Sequence, residues 1–252
     1  MKVQIITLPE AKERQEKITK SFNEYNINFE FKSGVALNEC SFIEENGTHY
    51  ILFENNKIKI NEDKLLENTN RNWIRFGEIA AYIAHYKLWK AFLNTNDLSI
   101  LICEDDAKPN ANIEFFESLI CDDLYFINLQ NVTAHNQSKQ FLYRQPFVEQ
   151  KNDNLIEYKA QLPLLCEGLA AYLLTRAGAQ LMCDYIEENG YVGPNDCMIT
   201  KLCQNKIMPI HAPIKLDRCF GLEEETYFTS YTHSGSFKTF KSFNKMVLQV
   251  KE

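Results

Sequence analysis

Apolar residues along this chain fall into short unbroken runs, separated by longer stretches in which they recur every three or four positions. That alternation predicts strands and helices in turn. Val3 to Leu8 is the first run, and Pro9 ends it. Glu10 to Tyr25 reads as an amphipathic helix with Ile18, Phe22 and Tyr25 on one face. Ile27 to Phe31 is a second strand, broken at Gly34, which makes the opening a βαβ unit. Phe76 to Asn94 is the clearest helix, with Ile79, Tyr82, Ile83, Tyr86, Trp89, Phe92 and Leu93 at helical spacing. Leu98 to Cys103 is an apolar run that rises directly into Glu104, Asp105 and Asp106. A run this short and this rich in Ile and Leu suits a strand buried on both faces of a parallel sheet. Downstream the pattern predicts a helix through Ile120, then strands at Leu124 to Leu129, Phe141 to Arg144 and Leu155 to Lys159. Ala170 to Leu174 is a short buried strand, and Thr175 caps a helix from Arg176 to Glu187. Ile207 to Ile210 is the last strand, with His211 and His233 in the loops after it.

Two stretches depart from this rhythm. Residues 40–72 carry a small hairpin, Tyr50 to Phe53 and Lys57 to Ile60 about Glu54-Asn55-Asn56, and read as an insertion on an α/β core. Residues 1–235 are then one domain and 236–252 a tail. In the tail Phe237, Phe240, Phe243, Val247 and Val250 sit at helical spacing among Lys238, Lys241, Lys245 and Lys251. Such a basic amphipathic helix suits a membrane interface or an aromatic stripe packed on the domain. The polar run Gln130 to Lys139 reads as a loop long enough to lie over a site.

Composition narrows the function classes. A formal net charge of -7 argues against a nucleic-acid binder, which would be basic. Eight cysteines show no CxxC pair and no Cys/His zinc spacing, so they read as reduced thiols of a cytoplasmic protein. The N-terminus enters a strand directly, without the apolar stretch of a signal peptide.

The chemistry gathers at Glu104, Asp105 and Asp106. Three adjacent carboxylates at a strand end repel one another, and a divalent cation offsets that cost. Hard oxygen ligands favour Mn²⁺ or Mg²⁺, and the carboxyl ends of strands are where open α/β sheets bind ligands. An acidic loop capping the next helix accounts for the same residues without a metal. Arg14 lies near the carboxyl end of the first strand, His85 beside the apolar stripe of its helix, and Asp196 in the first turn of another helix, where the dipole alone favours a carboxylate.

Four blocks in order resemble the family 25 glycosyltransferases, which include bacterial lipooligosaccharide galactosyltransferases. VQIITLPEAKERQEKI places Arg14 at the family's arginine; GEIAAYIAHYKLWKAFL resembles its GE…SH..LW helix, with Ala84 where Ser is usual. LSILICEDDA resembles the I-L-EDD metal motif. EGLAAYLLTRAGAQLM followed by GPNDCMI resembles the G-T-A-Y-L-I-S-R and P-V-D blocks, with Leu169, Ala170 and Asn195 as departures.

The resemblance implies a GT-A type, Rossmann-like α/β fold with a mixed central sheet flanked by helices, binding a UDP-sugar donor with Mn²⁺ or Mg²⁺. It implies inverting transfer of a hexose, most often galactose from UDP-galactose by a β-galactosyltransferase, to a lipid-linked oligosaccharide such as lipooligosaccharide. The expected place is the cytoplasm, peripheral on the cytoplasmic face of the inner membrane through the tail. In this reading Glu104 and Asp106, one residue apart and on the same side of an extended chain, hold the metal. Asp105 then points towards ribose or sugar hydroxyls. His233 is the preferred third ligand and His211 the reserve. Asp196 is the preferred base and Glu167 the alternative; Arg14 and His85 help to hold the nucleotide. Three other readings share these residues: transfer from UDP-glucose or UDP-N-acetylglucosamine, a non-catalytic nucleotide-sugar-binding protein, and a metal-dependent phosphohydrolase.

Overall fold

The computed structural model describes residues 1–69, 73–130, 147–158, 168–222 and 237–239. Its strands are β1 (Lys2–Thr7), β2 (Glu30–Ser33), β3 (Cys40–Glu45), β4 (Thr48–Phe53), β5 (Asn56–Lys59), β6 (Trp73–Arg75), β7 (Ser99–Glu104) and β8 (Ala107–Lys108). They continue with β9 (Phe126–Asn128), β10 (Phe147–Asn152), β11 (Leu155–Tyr158), β12 (Ala171–Thr175), β13 (Ile210–Pro213), β14 (Gly221–Leu222) and β15 (Phe237–Thr239). The helices are α1 (Lys12–Glu24), α2 (Glu62–Thr69), α3 (Phe76–Leu93), α4 (Ile113–Glu117), α5 (Arg176–Asn189) and α6 (Asn195–Gln204).

Five strands make the central sheet in the order β2-β1-β7-β12-β9. β1 runs parallel to β2 and β7, while β12 is antiparallel to β7 and β9. Side chains alternate across a strand, and β7 shows it: Ile100 and Ile102 enter one core, Leu101 and Cys103 the other. Burying each of the Ile or Leu side chains contributes about 1.5–3 kcal/mol, so a charge inside β7 would break both layers. Side chains of α3 and α5 fill the first core; Ile18 and Phe22 of α1 and Phe115 and Phe116 of α4 fill the second. The sequence expectation of a Rossmann-like mixed sheet between helices is met.

The helix α3 is more enclosed than a one-sided stripe predicts. Eleven of its 18 residues are buried, His85 among them, because the 40–69 stretch wraps its far side. β3, β4 and β5 form an antiparallel meander, and Ile51, Phe53, Ile58, Ile60 and Leu65 share the core of α3. Tyr191 N donates to Lys59 O at 2.7 Å and Asn61 N to Tyr191 O at 2.9 Å, stitching this stretch to the loop after α5. Gly190 makes that approach possible: its φ is +75°, and a Cβ there would lie 2.1 Å from Lys59 O.

Some boundaries shift for local reasons. The second strand starts at Glu30 because Asn26 adopts φ 54° and Ile27 N still bonds to Phe22 O, closing α1. The last predicted strand moves from 207–210 to 210–213. Ile207 N and Met208 N both return to Leu202 O, with Lys206 at φ 57°, so those residues finish α6. His211 therefore lies inside β13 and not in a loop. The predicted strand at 141–144, Glu167 and His233 fall outside the described residues. In the tail, Phe237–Thr239 is paired as an antiparallel strand with Trp73–Arg75, where helical spacing predicted a helix. Among the described residues no helix is long and apolar enough to cross a membrane.

Candidate active site

Parallel pairing of β1 with β7 sets Ile6 opposite Glu104, so Thr7 and the Asp105–Asp106 turn leave adjacent strand ends together. Thr7 Oγ1 donates to Asp105 Oδ2 at 2.7 Å. Arg14, near the start of α1, sets Nη1 2.6 Å from Asp105 Oδ1 and Nη2 3.9 Å from Asp106 Oδ2. Both oxygens of the buried Asp105 thus face protein donors, which makes it the anchor of the turn. Burial raises its pKa, and the Thr7 bond and the Arg14 charge oppose that rise.

Asp106 is placed differently. Burial first, and the charge of Glu104 second, push its carboxyl up to about 7. Its Oδ1 is buried with no hydrogen-bond partner among the described residues. A buried carboxylate oxygen without a donor is costly, and here it stands within the field of a second carboxylate. Glu104 retains 35% side-chain exposure, so solvent reaches the pair. A divalent cation shared by Glu104 and Asp106 would partner the orphaned oxygen and offset the repulsion; the residues present fit such an ion.

Glu104 is aimed by a buried relay. His85 Nε2 lies 3.1 Å from Glu104 Oε1, and His85 Nδ1 lies 2.7 Å from Tyr172 Oη. Trp89 Nε1 donates to the same Tyr172 oxygen at 2.8 Å. An ionised Glu104 only accepts, which puts a proton on His85 Nε2; in the neutral imidazole Nδ1 then accepts from the Tyr172 hydroxyl, whose oxygen accepts from the indole N–H. That network assigns the His85 proton to Nε2, from which it is donated to Glu104. Spacing on α3 puts His85 and Trp89 one turn apart on the face towards Tyr172 of β12.

A second limb comes from the chain after residue 167. Asp196, in the first turn of α6, accepts from Gly168 N at 3.1 Å through Oδ2 and from Cys197 N at 2.8 Å through Oδ1. Burial raises its pKa, these backbone bonds oppose it, and the charge of Glu104 raises it further, so the two carboxylates share one electrostatic neighbourhood. Gly168 has φ +73°, and a Cβ would meet Gln130 Oε1 at 2.6 Å. Asn128 Nδ2 holds Gly168 O at 2.9 Å, while Gln130 Oε1 accepts from Ala170 N at 2.9 Å. Leu222 of β14 pairs with Ala107, which brings the start of the C-terminal segment beside the acidic turn.

The profile of glycosyltransferase family 25, described as an LPS biosynthesis protein, matches residues 1–199. The chain belongs to that family. No curated protein matches it. Among solved structures this family 25 glycosyltransferase is similar to an active-site mutant of LgtC, at 11% identity and TM-score 0.38, covering 80% of this chain and 70% of that one. It is similar, at 11% identity and TM-score 0.39 with the same coverage, to the galactosyltransferase LgtC in complex with donor and acceptor sugar analogs. Mouse xyloside xylosyltransferase 1, apo form, is similar at 14% identity and TM-score 0.30, covering 83% of this chain and 71% of that one.

Of the residues expected from sequence, Arg14, His85, Glu104, Asp105 and Asp106 come together through direct contacts, and Asp196 through its electrostatic reach to Glu104. His211 does not join them. Sequence reasoning passed over Thr7, Asn128, Gln130 and Tyr172. A usable signal existed for three of them, since Thr7 ends the first strand and Asn128 and Gln130 are the polar residues that end the run from Leu124.

Proposed function

We propose that this family 25 enzyme transfers a hexose, galactose from UDP-galactose before other donors, to a lipooligosaccharide or related glycan with inversion at the anomeric carbon. Glu104 and Asp106 would hold Mn²⁺ or Mg²⁺. Bound there, the cation supplies neutralisation of the diphosphate charge that makes UDP a usable leaving group. The observation that carries this reading is the buried, unpartnered Oδ1 of Asp106 beside Glu104, in a chain of this family. Thr7 and Arg14 lock Asp105, and the turn then presents Asp106 in one orientation. That locking supports a structural role for Asp105 in place of contact with sugar hydroxyls.

Inversion needs a base that takes the acceptor hydroxyl proton as that oxygen attacks. Asp196 is assigned this role: its carboxyl is held by two backbone N–H groups, and burial raises its pKa. Glu167, one residue before Gly168, is the alternative base, and His233 the proposed third metal ligand. Nucleotide contact is proposed for Arg14 and His85 through the carboxylates they touch. The basic tail, residues 236–252, is proposed to meet the anionic surface at which a lipid-linked acceptor is presented.

The test is UDP release from UDP-galactose, UDP-glucose and UDP-N-acetylglucosamine, each with Mn²⁺, with chelator, and with Asp106→Ala. Metal-dependent release favouring UDP-galactose and lost in the variant is expected, followed by sugar transfer to added acceptor. Preference for another donor renames the sugar. Metal-dependent UDP binding without turnover on any acceptor would leave a nucleotide-sugar-binding protein, and absence of UDP binding would overturn the role of the acidic turn.

A further inference from the structure

A second group of metal-type ligands lies beside β9, an edge strand of the central sheet. Cys121 and Asp123 sit in the loop between α4 and β9. Because β9 runs in the same direction as β7, that loop lies beyond Ser99, at the end of the sheet opposite Glu104. His211 reaches the loop from β13, and the ligand atoms of all three residues lie within 4.8 Å of one another. Cys121 Sγ is 3.3 Å from Asp123 Oδ1, which is 4.0 Å from His211 Nε2. Ligand atoms around tetrahedral Zn²⁺ stand about 3–4 Å apart, so little adjustment is needed.

The imidazole supplies an independent observation. His211 has no side-chain exposure, and neither ring nitrogen has a hydrogen-bond partner among the described residues. Leaving both nitrogens of a buried imidazole unpaired is costly; a metal on Nε2 removes the penalty at that atom. We propose that Cys121, Asp123 and His211 form a binding site for a zinc-type cation, separate from the Glu104–Asp106 pair. Binding exchanges one proton: Cys121 S–H releases H⁺ to solvent as the S–Zn bond forms. Asp123 offers Oδ1, because Lys151 Nζ already holds Oδ2 at 2.7 Å and Glu157 at 2.7 Å. Asp123 is 53% exposed, which leaves the fourth position to water. Sulfur and imidazole ligands select Zn²⁺ or Co²⁺ over Mn²⁺, the reverse of the acidic turn.

The site would clamp β13, and with it the β10–β11–β13 sheet, to the entrance of β9. The β10–β11 hairpin lies between Gln130 and Gly168 along the chain, so the clamp fixes the element that precedes Gly168, whose N–H holds Asp196.

The experiment is a Co²⁺ titration of the full chain, read by the near-ultraviolet thiolate-to-cobalt absorption. One equivalent is expected to give that band in the wild type and in the Glu104→Gln/Asp106→Asn variant, and none in Cys121→Ser. A folded His211→Gln variant, checked by circular dichroism, should show weakened binding. In the unaltered protein, Zn²⁺ at ten times its Kd should slow alkylation of Cys121 about tenfold, and Mn²⁺ should not. Absence of the thiolate band, its persistence in Cys121→Ser, or unprotected Cys121 alkylation would each overturn the site.

Discussion

At the scale of single residues, the acidic motif divides its labour by partner. Asp105 is committed to Thr7 and Arg14, while Asp106 keeps a buried oxygen unpaired beside Glu104. The relay behind Glu104 predicts a separable effect. Tyr172→Phe removes the acceptor of Trp89 Nε1–H and the donor to His85, leaving buried polar groups unsatisfied. Stability should fall by about 1–3 kcal/mol in urea unfolding, and Mn²⁺ affinity should fall roughly 10–100-fold because Glu104 loses its orientation. Unchanged Mn²⁺ affinity would show that the relay only packs. Asp196 carries a pH prediction. As the proposed base it must be ionised, and burial raises the pKa above which it is. The rate constant kcat should therefore drop as pH falls, with an apparent pKa above the usual Asp value of about 3.9, and Asp196→Asn should remove that acidic limb along with most activity. An acidic limb of unchanged position in Asp196→Asn would pass the role of base to another group.

Elements whose pattern was periodic were readable in the sequence; those fixed by contacts distant along the chain were not. β7 could be read from Leu98 to Cys103 because both its faces are buried, so no polar residue interrupts it. The enclosure of α3 could not, since it depends on a meander whose docking relies on Gly190 and Lys59 meeting across the fold. The last strand slipped by three residues because α6 ends in a turn that captures Ile207 and Met208. Gly178 in α5 shows the same limit. As a helical glycine it invites replacement by Ala, which adds about 0.8–1.0 kcal/mol of helix propensity. A Cβ there would meet Tyr125 O at 2.1 Å, backbone that cannot swing aside. Gly178→Ala is therefore expected to destabilise, lowering Tm, and a rise in Tm would show that α5 is free to move off β9.

For the whole molecule, the family resemblance rested on four blocks that the fold gathers at one end of a sheet. Glu104 and Asp106 were legible because motif and strand end coincide. The Cys121–His211 pairing was not, because these side chains stand ninety residues apart in the chain and meet where β13 packs beside β9. Two proposed cation sites at opposite ends of one sheet make a prediction about global stability. A ligand that binds only the folded chain stabilises it by about 2.7 kcal/mol at a hundred times its Kd. For a domain of this size each kcal/mol raises Tm by about 2–4 °C. Mn²⁺ with UDP should thus raise Tm by roughly 5–10 °C when both are saturating. Asp106→Asn should lose that shift while keeping the response to Zn²⁺, and Cys121→Ser should do the reverse. A cation held at one end of a rigid sheet has no direct contact with the other end, so loss of both shifts in either variant would overturn the independence of the two sites.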